Sequence, residues 1–317
     1  MGMLKTLSPF SCHSEVALSD MHTKVRRFFK GASINLMYLP ALAIFAIFLV
    51  WPVIQGAYLS TTNWDGYSPT FANTGWSNYA RLVHDPNFLV AVRNTFIYGI
   101  GSTVIQQIIG LFLAILLERS GKASNTLRAI VYLPVLISPV VMGTFYYLVF
   151  RYRQGALNGI LEVLGLQPVA FLSDSTFALI VIVFINSFQF VGVSMIIYLS
   201  GLQAIPDEIH EAAQLDGVNA WQHFKEVVWP MLHPAFAASV VLNLIGGLKL
   251  YDIIKVLTDG GPGFDTNSVS TLIGRTYFGS QAAGYAAAQG VILFLIIVVF
   301  TVLTNRWLDR RAKKVGL

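Results

Sequence analysis

Six apolar runs govern what this chain can become: residues 36–54, 95–117, 129–150, 177–199, 235–250 and 285–304. About 20 apolar residues are needed to cross ~30 Å of hydrocarbon as a helix. Inside lipid each backbone N–H and C=O must find its partner within the segment, so such runs predict helices. The expected fold is therefore an all-α membrane protein with six transmembrane helices. The fifth run is the weakest, because it is short and carries Lys249 and Asp252 at its end. It is expected to begin earlier, near Trp229, or to be broken. Only 12% of the 317 residues are charged, against roughly 25% in soluble domains, which excludes a soluble globule. One cysteine, Cys12, excludes a disulfide framework. The first run has more than 30 residues before it and no small-x-small site after Trp51-Pro52, so it reads as a retained anchor.

The net charge of +5 does not point to nucleic acid once its placement is considered. Residues 1–33 and 304–317 together carry +7, leaving −2 for the apolar body. The organisation is a basic tail (1–33), a membrane domain (34–304) and a second basic tail (305–317). With both termini cytoplasmic, 14 Lys and Arg fall on the cytoplasmic side and seven on the other, as the positive-inside tendency requires. Outer segments rich in aromatics, from Trp64 to Tyr67 and from Phe71 to Tyr79, read as interface anchors or as a docking surface.

Chemical motifs are few. There is no glycine-rich phosphate loop, so no ATP site is expected on this chain. His210-Glu211 begins a helical zinc pattern, but Gln214 stands where the second histidine ligand belongs, so no metal is expected. No cofactor or catalytic residue is legible, and an intramembrane hydrolase finds no support.

The segment 200–233 is long and acidic, at −4. Residues 209–230 read as two short amphipathic helices around a turn. Pro206-Asp207-Glu208 suits a helix start, Asp216-Gly217 a tight reversal, and Asn219 an N-cap. Trp221, Phe224 and Val228 form an apolar stripe. Pro230 is expected to end the second helix and Pro234 to open the next span.

Glu211-Ala212-Ala213, three residues, Gly217, nine residues and Val227-Val228-Trp229-Pro230 resemble the "EAA" signature of permease subunits of binding-protein-dependent ABC importers. Val227 and Trp229 depart from its Ile and Leu. Leu202-Gln203-Ala204-Ile205-Pro206, Asp216-Gly217, Tyr251-Asp252 and Leu257-Thr258-Asp259-Gly260-Gly261-Pro262 with Thr266 resemble the carbohydrate branch. They are similar to the first permease of maltose and glycerol-3-phosphate type systems. The resemblance implies a type I importer permease in a bacterial or archaeal cytoplasmic membrane. It implies four kinds of partner: a second homologous permease, two cytoplasmic ATPase subunits, an extracytoplasmic solute-binding protein and a carbohydrate-like solute. Glu211, Ala212, Ala213, Asp216, Gly217 and Pro230 would form the coupling segment to the ATPase. The Asp259 to Pro262 stretch reads either as a simple reversal or as a shaper of the outer pathway.

Polar side chains within spans are costly in lipid and mark candidate function. Asn186 and Gln189 share a face of the fourth run. Asn243, Gly247 and Tyr251 follow at four-residue steps on the fifth, offering an amide, a gap and an aromatic hydroxyl to a sugar-like ligand. Interhelical hydrogen bonding is an equal alternative, and Gln106 and Gln107 are still more ambiguous. An ion-coupled secondary transporter would need buried ionisable groups that these spans lack.

Overall fold

The computed structural model describes residues 38–118 and 121–314, the side chains of 311–314 excepted. The whole basic N-terminal tail (1–33) and the first residues of the first run lie outside the described residues. The chain divides into two compact units, Met1–Gly56 and Ala57–Leu317.

In the first unit lies most of α1 (Leu39–Leu59), long and apolar enough to cross a membrane. Residues Ala46–Val50 form a π-helical turn immediately before Trp51-Pro52. The Trp51 N–H donates to the Ala46 carbonyl, five residues back. A proline has no N–H and its ring crowds the carbonyl four residues earlier. Widening the turn before it keeps the helix intact.

The second unit is a helical bundle. Short α2 (Ser77–His84) leads into α3 (Pro86–Leu116). Asp85 caps α3, its carboxylate accepting from the Asn87 and Phe88 N–H groups, and Pro86 occupies the first helical position. Then come α4 (Lys122–Leu136), α5 (Pro139–Phe150) and α6 (Ala156–Val163). The long α7 (Ser175–Gln203) is capped by Asp174, which accepts from Thr176 and Phe177 at 2.9 Å.

One expected span is corrected here. Residues 129–150 do not form a single straight helix; α4 and α5 meet at 95°. Pro134 and Pro139 bracket the break, and each removes a donor from the ladder. Five long apolar helices remain among the described residues, or six if the bent pair counts as one span.

The segment after α7 holds α8 (Asp207–Leu215), a capped turn at Ala220–Gln222, a π-helical turn at His223–Val228, and α9 (Trp229–Leu248). This overturns two boundaries. Pro230 does not end the second elbow helix, and Pro234 does not open the next span. Both lie inside one uninterrupted helical run. The device matches the one at Trp51-Pro52: the Trp229 N–H reaches the Phe224 carbonyl, five residues back, just before Pro230. The helical run that holds the fifth span thus begins at Ala220, its regular α-helical part at Trp229, and regular helix is lost at 249–251 before α10 (Asp252–Leu257). The Ser268 hydroxyl donates to the Leu250 carbonyl freed by that break, at 2.7 Å. Finally α11 (Val269–Gly274) and α12 (Ala283–Lys314) close the bundle.

Small residues set the helix crossings. A methyl on Gly110 of α3 would fall 2.5 Å from the Ser194 Cβ of α7, and one on Gly192 of α7 would fall 2.8 Å from the Val131 carbonyl of α4. Lipid supplies little drive for helices to meet, so such close backbone approach is what makes them pack. One buried cluster, with Met195, Tyr198, Leu202, Val228 and Leu232, joins the ends of α3 and α7 to the elbow. A second, with Tyr98, Ile182, Ile185, Ile253 and Ile254, holds the opposite end together.

Candidate functional site

The elbow between α7 and α9 is built by local hydrogen bonding. Pro206 precedes α8, whose first turn carries Asp207 and Glu208. At its other end the Gly217 N–H donates to the Gln214 carbonyl and the Val218 N–H to the Ala213 carbonyl. That pair of bonds is a Schellman motif, which needs a left-handed residue between them. Gly217 supplies it, at φ +70°. Asn219 and Gln222 then form a reciprocal capping box, at 2.9 and 3.2 Å. Across the turn His210 Nδ1 meets His223 Nε2 at 3.0 Å, tying the two limbs.

Ala213 and Val228 are buried beneath this frame, while Glu211, Ala212 and Asp216 are exposed. Two large apolar side chains also face outward, Leu215 at 90% and Trp221 at 69% exposure. The expected apolar stripe therefore divides: Val228 packs inward, and Trp221 stacks on half-buried Phe224 at 28° between ring planes. Pro230 sits at the start of α9 and is half-buried.

Within the bundle is a cavity of about 1140 Å³. Four of the five residues expected on a solute path line it: Asn186, Asn243, Gly247 and Tyr251. Asn243 Nδ2 donates to the Ser194 hydroxyl at 2.7 Å, so the same carboxamide also joins α9 to α7. Gln189 is placed differently. It is fully buried, and its Nε2 donates to the Ile137 carbonyl at 3.0 Å, covering an acceptor exposed by the α4–α5 break.

Gln106 proves to be a wall residue. Its Nε2 donates to the Asn186 carbonyl at 3.1 Å, while its Oε1 is buried with no hydrogen-bond partner. Gln107, its neighbour, faces elsewhere and accepts from the Tyr198 hydroxyl. Lys249, Asp252 and Asp309 complete the lining as its charged members. Lys249 and Asp252 were visible in the sequence as ionisable residues at the end of an apolar run, which is a functional signal in itself.

The stretch after the Asp259 to Pro262 turn, residues 265–269, is stapled onto α3. The Tyr98 hydroxyl donates to the Thr266 carbonyl at 2.8 Å, Asn94 Nδ2 donates to the Asp265 and Asn267 carbonyls, and the Val269 N–H donates to the Thr95 hydroxyl. Thr266 Oγ1 ties this stretch back to the turn, donating to the Gly261 carbonyl at 2.6 Å. Its residues hold the end of the bundle where the cavity wall reaches Tyr251 and Asp252.

Residues 106–314 match the family described as binding-protein-dependent transport system inner membrane component. The chain belongs to this permease family. The permease is 31% identical over 267 residues to the trehalose/maltose transport system permease protein MalF of Thermococcus litoralis, covering 84% of this chain and 90% of that one. It is 34% identical over 257 residues to the multiple sugar-binding transport system permease protein MsmF of Streptococcus mutans, covering 81% and 88%. Among solved structures, a bacterial alginate ABC transporter in complex with an alginate pentasaccharide-bound periplasmic protein contains a chain that superposes with a TM-score of 0.78. Identity there is 23%, with 91% of the permease and 98% of that chain covered, so this likeness speaks for the fold: a type I permease.

Proposed function

We propose that this permease imports a sugar or sugar-like solute across a cytoplasmic membrane. It works beside a second, homologous permease, on two ATPase subunits that hydrolyse the ATP, and receives its solute from an extracytoplasmic binding protein. Both termini lie on the ATPase side. The relatives named for trehalose, maltose and multiple sugars support the solute class.

The observation that carries the mechanism is the unbroken run from the elbow into the cavity wall. Glu211, Ala212, Ala213, Asp216 and Gly217 form a rigid, acidic corner with Leu215 and Trp221 exposed beside it. That corner suits a cleft on a partner, where burying two large side chains contributes roughly 1.5–3 kcal/mol each. From His223 the helical run passes Pro230 without interruption and continues to Asn243 and Gly247. Motion of a partner seated on the elbow is thereby delivered to the groups that face the solute. Gln106, Asn186 and Asn243 offer carboxamides and Tyr251 a ring and hydroxyl, a set that pairs with sugar hydroxyls and C–H faces. Alternating access then follows as helices rock about this site.

The test is transport by the chain reconstituted with its ATPase and permease partners, comparing the unaltered protein with Glu211→Lys. Solute uptake and ATP hydrolysis are expected to uncouple or to fall together. Uptake that continues without ATPase subunits would overturn the reading in favour of ion-coupled transport.

A further inference from the structure

The segment between α5 and α7 is too apolar for its position. After Phe150 ends α5, the chain runs out through α6 and returns to the bundle at Phe171 and Leu172, and α6 presents Ile160, Val163 and, just beyond it, Leu164 and Leu166 to the outside. Val163 alone is 88% exposed. This is a rigid presentation. Asn158, buried at the centre of the segment, donates through Nδ2 to the Tyr152 and Val169 carbonyls at 3.1 and 2.9 Å and accepts from the Val169 N–H at 2.9 Å. One carboxamide therefore closes the segment into a frame and satisfies backbone groups that water would otherwise have to solvate.

We infer that this face is seated on the membrane itself, with α6 lying in the plane of the boundary between lipid headgroups and acyl chains. Three observations commit it to lipid. The segment begins one residue after α5, the second limb of the bent apolar pair α4–α5, and is continuous with the exposed apolar side chains of α5 such as Val141 and Phe145. Its first residues are Arg151, Tyr152 and Arg153, cationic and amphipathic groups of the kind that anchor at headgroup level. Arg151 is held there by its own loop, Nε and Nη2 donating to the Gln154 carbonyl at 3.3 and 3.2 Å. The four aliphatic side chains follow at the other end of the frame, with exposed Glu162 between Ile160 and Val163 as the one charged group among them. Lipid phosphates are the complement of the two arginines, and acyl chains the complement of the aliphatic patch.

The experiment places a nitroxide at Val163→Cys in the full chain, with Cys12→Ser, assembled with its partner subunits in phosphatidylethanolamine/phosphatidylglycerol vesicles. Val163 makes so little internal contact that the change leaves the frame intact. Collisions of the label with oxygen are expected to exceed those with a water-soluble nickel chelate several-fold. A label dominated by the nickel chelate puts the face in water and overturns the inference. A label shielded from both reagents puts it under protein and overturns it equally. Leu166→Cys, read in the same way, gives an independent second site.

Discussion

Gly247 on α9 lies so close to Gly99 on α3 that a methyl group placed on it would fall 2.8 Å from the Gly99 Cα and 3.0 Å from the Tyr98 carbonyl oxygen. The obstacle is backbone, which cannot swing aside as a side chain would. Gly247→Ala should therefore cost roughly 1–3 kcal/mol through overpacking. Its neighbour is the control, because nothing lies within 4 Å of a methyl at Gly246. Gly246→Ala should leave stability unchanged or raise it by up to about 1 kcal/mol. Thermal melting of the two variants in detergent checks the opposite signs.

At the elbow, Gly217→Ala forces a methyl-bearing residue into left-handed backbone at φ +70°, costing about 1–2 kcal/mol. The strain is local to the Schellman turn. Melting of the bundle should stay nearly constant while capture of the partner ATPase in a pull-down weakens. Asn, which tolerates this conformation better, should lose less than Ala.

The bond between His210 and His223 links residues 13 apart, so removing either imidazole unties the same contact. His210→Ala and His223→Ala should be non-additive, with a coupling of about 0.5–1.5 kcal/mol. Hydrogen exchange at the amides of α8, measured through the double-mutant cycle, reads it. Full additivity would show that the limbs are held by something else.

Gln106→Leu separates solute contact from helix packing. The Oε1 it removes has no partner, and the Asn186 carbonyl that loses the Nε2 bond sits inside α7. Stability should move by about 1 kcal/mol or less. Transport should nevertheless fall, with a higher KM for the solute. If KM and kcat both stay at their original values, Gln106 does not meet the solute.

Between the first two long apolar helices, Asp65 folds its own loop. Its carboxylate accepts from the Ser68 hydroxyl and from the Ser68 and Tyr67 N–H groups. These bonds, the Ser68 hydroxyl foremost, hold its pKa down at about 2, against an ordinary 3.8. Because the folded value is the lower one, its contribution is complete above the ordinary value and disappears as pH falls through about 2. Asp65→Ala should speed limited proteolysis of the 60–76 loop by a similar factor at every pH above about 4.

What the sequence made legible follows from how local each cause is. Long apolar runs announce helices because lipid forces every backbone bond to be internal. Gly217 and Asn219 were readable because their partners lie within four residues. The bend between α4 and α5 was hidden, since hydropathy is blind to direction and the run is apolar on both sides of Ser138-Pro139. Pro230 misled because the rule that proline ends a helix assumes regular i to i−4 bonding, and a π turn evades it. Asn186 and Gln189 share a face by spacing, yet only Asn186 meets the cavity. Gln189 is claimed by the carbonyl of Ile137, 52 residues away. No local pattern encodes that distance.

The unbroken passage through Pro230 also makes α9 a lever. Its 20 residues, at 1.5 Å each, give an arm of about 30 Å. A tilt of ~10° imposed at the elbow sweeps the far end by roughly 5 Å, given that length. Had the helix stopped at Pro230, the joint there would have absorbed the rotation. Instead the first joint on this arm is the break at 249–251, beside Tyr251, so the stroke is spent at the cavity.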